Sequence, residues 1–121
     1  MPEMPKLTKS SPEILERFRT ALERHAAPDV VLKPMFGYQC AWIGGNMFSG
    51  LFADEWWVRV SEPDREALLA LPGAHPFEPM PGRSMGRYVV LPADTAGRDA
   101  DLDAWLAKAI AFTRTMPPKT K

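Results

Sequence analysis

The chain has little cysteine and histidine, and it has no excess of either charge. Cys40 is the only cysteine among 121 residues, and there are two histidines. A single thiol excludes an internal disulfide and any zinc or iron–sulfur centre held by several thiolates. Fifteen basic residues balance fifteen acidic ones. The chain therefore lacks the overall positive field that concentrates nucleic acid or an anionic membrane.

The first residues also lack an apolar stretch. Residues 1–11 are polar with two prolines, which is unlike a signal sequence or a membrane span. We therefore expect a cytoplasmic protein. A length of 121 residues with 45% hydrophobic content suits one core. We predict a single domain over residues 1–121, with an ordered core at 11–114 and flexible tails at 1–10 and 115–121.

Three helices are predicted from capping residues and apolar periodicity. The first begins after Ser11, with Pro12 at its first position, and ends before Pro28. Residues 61–64, Ser-Glu-Pro-Asp, resemble a capping box that starts the second helix. The last helix is predicted to begin near Asp99 or Asp101, with one apolar face.

Between the helices, apolar runs and turn residues predict β-strands. Short connections between successive strands indicate an antiparallel meander. The fold class is therefore α+β, in the order α-β(3)-α-β(1–2)-α, with helices packed on one face of an antiparallel sheet. The predicted segments are a lead-in at 30–33, strands at 38–43, 47–52 and 56–60, a Pro- and Gly-rich loop at 72–86 with room for an edge strand at 77–80, and a strand at 87–91.

One block of residues resembles a known family. It opens with Met-Phe-Gly at 35–37 and continues through a Gly before a Met-Phe pair, a strand that ends in a basic and a hydrophobic residue, a Tyr-x-x-x-Pro strand and a closing helix with a Trp. This pattern resembles the N-terminal domain of the TfoX/Sxy family. The matching residues are Met35, Phe36, Gly37, Gly45, Met47, Phe48, Arg59, Val60, Tyr88, Pro92 and Trp105.

The resemblance covers roughly residues 14–113 and implies the same α+β architecture. The chain departs from the family at Tyr38 and Cys40, where glycines are usual, and at Arg59, where lysine is usual. The motif is mostly apolar residues and glycines, so it indicates a fold more than a function. Full-length competence regulators of this family carry a second helical domain. A resemblance to their first domain alone therefore does not imply that this chain has their regulatory role.

Candidates for catalysis are few. Cys40 lies in an apolar hairpin with no electropositive neighbour in sequence to lower the pKa of a thiol. His25 and His75 have no partner that the sequence reveals. The pair Gly44-Gly45 joins two strands and lacks the Lys-Ser/Thr of a phosphate-binding loop. We predict no catalytic residue, no cofactor and no metal ligand, and we expect the protein not to be an enzyme.

An anion site is one alternative for binding. Arginines beside aromatic residues on a sheet can hold a small anion or stack single-stranded bases. The candidates are Arg59, Arg83 and Arg87 with Tyr88. The zero net charge makes nucleic acid the weaker of these two ligands.

A protein-interaction surface is the favoured alternative. Strict alternation assigns large apolar residues to both faces of the sheet, and three helices cover only one of them. The other face is a contact surface unless a helix or the long loop with Met80 and Met85 folds over it. We predict a regulatory, protein-interaction module that forms a homodimer with Trp57 or Trp42 near the contact, and whose other protein partner is unknown. The assigned faces are Tyr38, Trp42, Phe48, Phe52 and Trp57 on one side and Ala41, Ile43, Met47, Leu51 and Trp56 on the other.

Overall fold

The computed structural model describes residues 10–35, 37–80 and 83–117, and for residues 79–80 and 83–86 it describes the backbone alone. In this part of the chain, six antiparallel strands form one sheet in the order β1-β2-β3-β4-β6-β5. The elements are α1 (Pro12–Arg24), β1 (Val30–Leu32), β2 (Cys40–Ile43), β3 (Asn46–Phe52), β4 (Glu55–Val58), α2 (Glu62–Leu69), β5 (His75–Met80), β6 (Arg83–Val90), α3 (Ala93–Ala96) and α4 (Asp99–Arg114).

The α+β class with an antiparallel sheet is confirmed, and the element order differs from the prediction. The segment expected as a lead-in is itself a strand, β1, paired with β2. A short helix, α3, precedes the last helix. Among the described residues, no helix is both long and apolar enough to span a membrane.

The predicted serine caps are confirmed. The hydroxyl of Ser11 accepts a hydrogen bond from the Ile14 amide at 3.2 Å, and the hydroxyl of Ser61 accepts one from the Asp64 amide at 3.5 Å. Each bond satisfies an amide that has no partner inside the first helical turn. These local interactions explain why the starts of α1 and α2 follow from the sequence.

The helices cover one face of the sheet. Phe18 of α1, Leu68 of α2 and Leu106 of α4 are buried in the same apolar cluster as Trp56 of β4. The ring centroids of Phe18 and Trp56 lie 5.2 Å apart. This cluster is the main core, and it leaves the opposite face of the sheet without a helix among the described elements.

A β-bulge in β3 changes the faces that two residues occupy. Ala41 pairs with Ser49, but the next residue, Trp42, pairs with Met47, so Phe48 is an extra residue in β3. Phe48 is therefore buried in the main core, and Met47 packs on the opposite face. The predicted faces of these two residues were wrong because strict alternation does not hold across a bulge.

Residues 72–86, predicted mainly as a loop, contribute to a β-hairpin. Strands β5 and β6 pair antiparallel as far as Met80 opposite Arg83. Strand β5 is the edge of the sheet, where Pro76 and Pro79 are tolerated because only one side of the strand has a neighbour to bond. The edge strand for which the sequence left room at 77–80 is therefore present, but it begins at His75, and β6 begins at Arg83, so the loop is shorter than predicted.

Candidate interaction surface

A smaller apolar cluster lies on the face of the sheet opposite the main core, and we call it the aromatic face. Its buried residues come from strands β2, β4, β5 and β6, and half-buried residues surround them. The buried members are Cys40, Trp57, Phe77 and Val90, and the half-buried members are Met35, Trp42, Met47, Phe52 and Tyr88.

Trp57 is at the centre of the aromatic face and only 2% exposed. Phe77 of β5 stacks on its indole, with ring centroids 5.4 Å apart and an interplanar angle of 22°. Tyr88 meets the same ring edge-on at 4.8 Å between centroids. The indole also covers Gly50, its cross-strand partner in β3. Because its own chain encloses it, Trp57 does not provide the exposed contact that the sequence suggested.

The open part of the aromatic face lies around Trp42. Trp42 and Met47 are opposite each other on β2 and β3, and both are half-buried. The indole N–H of Trp42 donates a hydrogen bond to the carbonyl oxygen of Lys33 at 3.0 Å, which holds the ring toward the end of β1. Of the two tryptophans predicted near a contact, Trp42 is therefore the one with accessible surface.

Of the predicted arginines, Arg59 lies beside two aromatic rings. The guanidinium carbon of Arg59 lies 5.7 Å from the Tyr88 ring centroid and 5.9 Å from that of Phe112. No ion pair joins Arg59 to a described carboxylate, and its guanidinium instead packs beside these two rings. Arg87 is exposed. The side chains of Arg83, Met80 and Met85, which were also candidates, lie outside the described part of the structure.

Cys40 is buried beneath the aromatic face. Burial raises the pKa of its thiol to about 11, and a hydrogen bond involving the Met35 backbone offsets only part of that rise. A thiol with this pKa is a poor nucleophile because little thiolate forms near neutral pH. The environment is that of a small apolar side chain, as the sequence indicated.

Both histidines have carboxylate partners that the sequence did not reveal. His25 Nε2 lies 3.1 Å from an oxygen of Asp103, and His75 Nε2 lies 3.4 Å from an oxygen of Glu55. Arg24 also bonds to Asp103, so this group joins α1 to α4. Within the described ranges, no three His, Cys, Asp or Glu side chains are placed to hold a metal ion.

The residues of the family motif have structural positions. Gly37 and Gly45 have φ values of 84° and 82°, in the left-handed region that glycine tolerates best. Met35 and Tyr38 bridge around Gly37, and Pro92 is a buried residue immediately before α3. Phe36 lies outside the described residues. The motif therefore encodes turns and packing.

Two contributors to the aromatic face were missed by sequence reasoning. Phe77 was given a place in an edge strand at 77–80 but no place on this face, and Gly50 was not considered. A glycine inside a strand signals the close approach of another group, so Gly50 offered a usable clue. The partner that approaches it is not encoded locally.

The sheet, its helix-covered face and its aromatic face together define a small α+β domain with a half-exposed apolar surface. Residues 22–113 match the family described as the TfoX N-terminal domain. The chain belongs to the TfoX N-terminal domain family, since this match covers most of its length. The curated proteins and the solved structures contain no match to the chain.

Proposed function

We propose that the chain is a non-catalytic regulatory domain that acts through protein–protein contact, and that a second copy of itself is one partner. The observation that supports this proposal is the half-exposed apolar surface at Trp42 and Met47, on the face that no described helix covers. Contiguous exposed apolar surface is typical of contact sites. Tryptophan is enriched among the residues that dominate binding energy.

A homodimer suits such a surface because, in a dimer with a two-fold axis, the same patch on each copy contacts its counterpart on the other. No second, complementary patch is needed. The contact belongs at Trp42, since the Trp57 ring is already covered by Phe77 and Tyr88. A charge introduced at the centre of such a contact has to be buried without a partner, which is costly.

The test compares the molar masses of variants by light scattering. We expect the wild type to be dimeric and Trp42→Glu to be a folded monomer with an unchanged far-ultraviolet circular dichroism spectrum. Leu71→Glu is the matched control, because Leu71 is 36% exposed and belongs to neither apolar cluster. Trp42→Phe keeps an apolar ring and is expected to remain dimeric. A Trp42→Glu protein with the mass of the wild type would contradict the proposal.

A second candidate function is the binding of a small anion at Arg59. The observation that favours it is a guanidinium between the rings of Tyr88 and Phe112, without an ion pair to a described carboxylate. Single-stranded nucleic acid is the weaker ligand, because a chain with no net charge neutralises few phosphates at once. Titration with inorganic phosphate and with a short oligonucleotide tests both. Salt-sensitive binding that Arg59→Gln abolishes would support this function, and an unchanged affinity in that variant would reject it.

A further inference from the structure

We propose that two copies of the chain pair antiparallel through the open edge of β1, so that their two sheets join into one. This inference rests on the proposed function in one respect, namely that a second copy is the partner. It goes further by assigning the contact to a strand edge and by fixing the register.

The open edge of β1 concentrates exposed apolar side chains. Strand β1 ends the sheet and has β2 as its only neighbour within the described strands. Val31 is 50% exposed and Leu32 is 44% exposed, while Leu15 of α1 is 38% exposed. These are three of the four exposed large hydrophobic residues in the described part of the chain. Strand edges that avoid pairing usually carry charge or a bulge or are very short; β1 carries neither charge nor bulge, although it has only three residues, so its side chains and backbone groups are what favour pairing.

The backbone of β1 offers hydrogen-bonding groups on its open side. The amide of Lys33 donates to the Cys40 carbonyl of β2 at 2.9 Å. Successive residues of a strand direct these groups to opposite sides in an antiparallel ladder. The N–H and C=O of Leu32 and the C=O of Val30 therefore point away from β2. No hydrogen bond joins the Leu32 amide to another described residue.

These groups are self-complementary about a two-fold axis at Val31. In that register Val30 lies opposite Leu32 of the second copy, so the Leu32 amide of each copy can donate to the Val30 carbonyl of the other. The same register puts Asp29, which lies in the turn before β1 and whose carboxylate already accepts two hydrogen bonds from Arg114 at 2.9 Å, opposite Lys33 of the second copy. Opposite charges in directly opposed positions stabilise an antiparallel pair. The backbone groups thus favour one register, and Lys33 of the second copy can only add to the ion pair that Asp29 already makes with Arg114.

The side chains on both faces of β1 also fit this pairing. Leu32 shares its face with Leu15 and lines a groove of about 430 Å³ between α1 and β1. On the other face Val31 lies opposite Trp42 in the ladder with β2. The two-fold axis would place the two Val31 side chains together and continue the aromatic face from one Trp42 to the other. This explains how a contact near Trp42 arises without contact between whole sheet faces.

The test uses opposite charges at the proposed axis. In Val31→Lys two lysines face each other at the axis, and in Val31→Glu two glutamates do, so each protein alone is expected to be monomeric by sedimentation velocity. An equimolar mixture is expected to restore the dimer, because lysine then faces glutamate. Leu71→Lys changes a similarly exposed apolar residue elsewhere and is expected to stay dimeric.

A second variant removes the outward-facing donor together with the leucine side chain. Leu32→Pro deletes an amide that makes no bond within the described chain, so it is expected to give a monomer with an unchanged circular dichroism spectrum. Val31 variants that remain dimeric, while Trp42→Glu is monomeric, would overturn edge pairing and leave the proposed function standing. A mixture of the Val31 variants that stays monomeric would also overturn edge pairing. A monomeric wild type would overturn both proposals.

Discussion

The indole of Trp57 occupies the space that a side chain on Gly50 would need. A Cβ added to Gly50 would stand 2.8 Å from Cε2 of Trp57, closer still to Cζ2, and 3.1 Å from Sγ of Cys40. Phe77 then stacks on the ring. The packing of the aromatic face therefore depends on the absence of a side chain at Gly50 in β3. This packing keeps the Trp57 ring buried.

Gly50→Ala is expected to destabilise the fold. Overpacking of a filled site typically costs about 1–3 kcal/mol, so the free energy of unfolding should fall by roughly that amount in urea denaturation. The same substitution in a Trp57→Leu background should cost less, because the ring that it meets is gone. An equal cost in both backgrounds would show that Trp57 is not the cause.

Ser49→Ala is expected to destabilise the main core. Trp56 Nε1 donates to the Ser49 hydroxyl at 2.9 Å, and that hydroxyl donates to the Trp57 carbonyl at 2.9 Å, all within the buried sheet. Loss of the hydroxyl leaves the indole N–H without an acceptor, at a cost of about 1–3 kcal/mol in unfolding free energy. Thermal denaturation checks this, with Ser10→Ala as the control, because the Ser10 hydroxyl makes no hydrogen bond to a described residue. A Ser49→Ala protein as stable as the control would contradict it.

The Cys40 thiol is expected to react slowly in the folded protein. With a pKa of about 11, about one thousandth of the thiol is ionised near pH 8. Burial at 2% exposure also blocks access. An aromatic disulfide reagent should titrate the thiol slowly in buffer and completely in denaturant. Rapid titration of the native protein would place Cys40 at the surface.

Acid is expected to weaken the link between α1 and α4. Burial alone would raise the pKa of Asp103, but hydrogen bonds from Arg24 and His25 lower it below its usual value. A carboxyl whose folded pKa is lowered contributes stability that is complete above the unfolded pKa of about 3.9 and is lost as the pH falls through the folded value. The urea midpoint should therefore fall on acidification below about pH 4.

Asp103→Asn removes the group responsible, so its urea midpoint should depend less on pH in that range than the wild-type midpoint does. Glu13→Gln changes an exposed carboxylate that makes no ion pair with a described residue, and it should keep the wild-type dependence. Identical acid profiles for Asp103→Asn and the wild type would contradict this role.

The parts of the fold that depend on neighbouring residues could be predicted from the sequence. Ser11 and Ser61 cap helices through bonds that span three residues, and the turn at Gly44-Gly45 uses glycines with positive φ. The faces of Trp56 and Trp57 also followed from alternation. Such features are local, so the sequence pattern contains them.

The parts that depend on distant residues could not be predicted. The bulge at Phe48 depends on how β2 pairs with β3, and the covering of Trp57 depends on where β5 brings Phe77. The exposed character of β1 depends on its position at the end of the sheet. For the candidate site, the sequence identified Trp42 but could not separate it from Trp57.

Sedimentation equilibrium of the wild-type protein, from low to high micromolar concentration, tests the central claim of self-association most directly. One chain has a mass of 13.5 kDa, so a dimer has twice that value. The proposed homodimer predicts that the apparent mass rises with concentration and levels off at two chains. A mass of one chain across the whole range would contradict the homodimer.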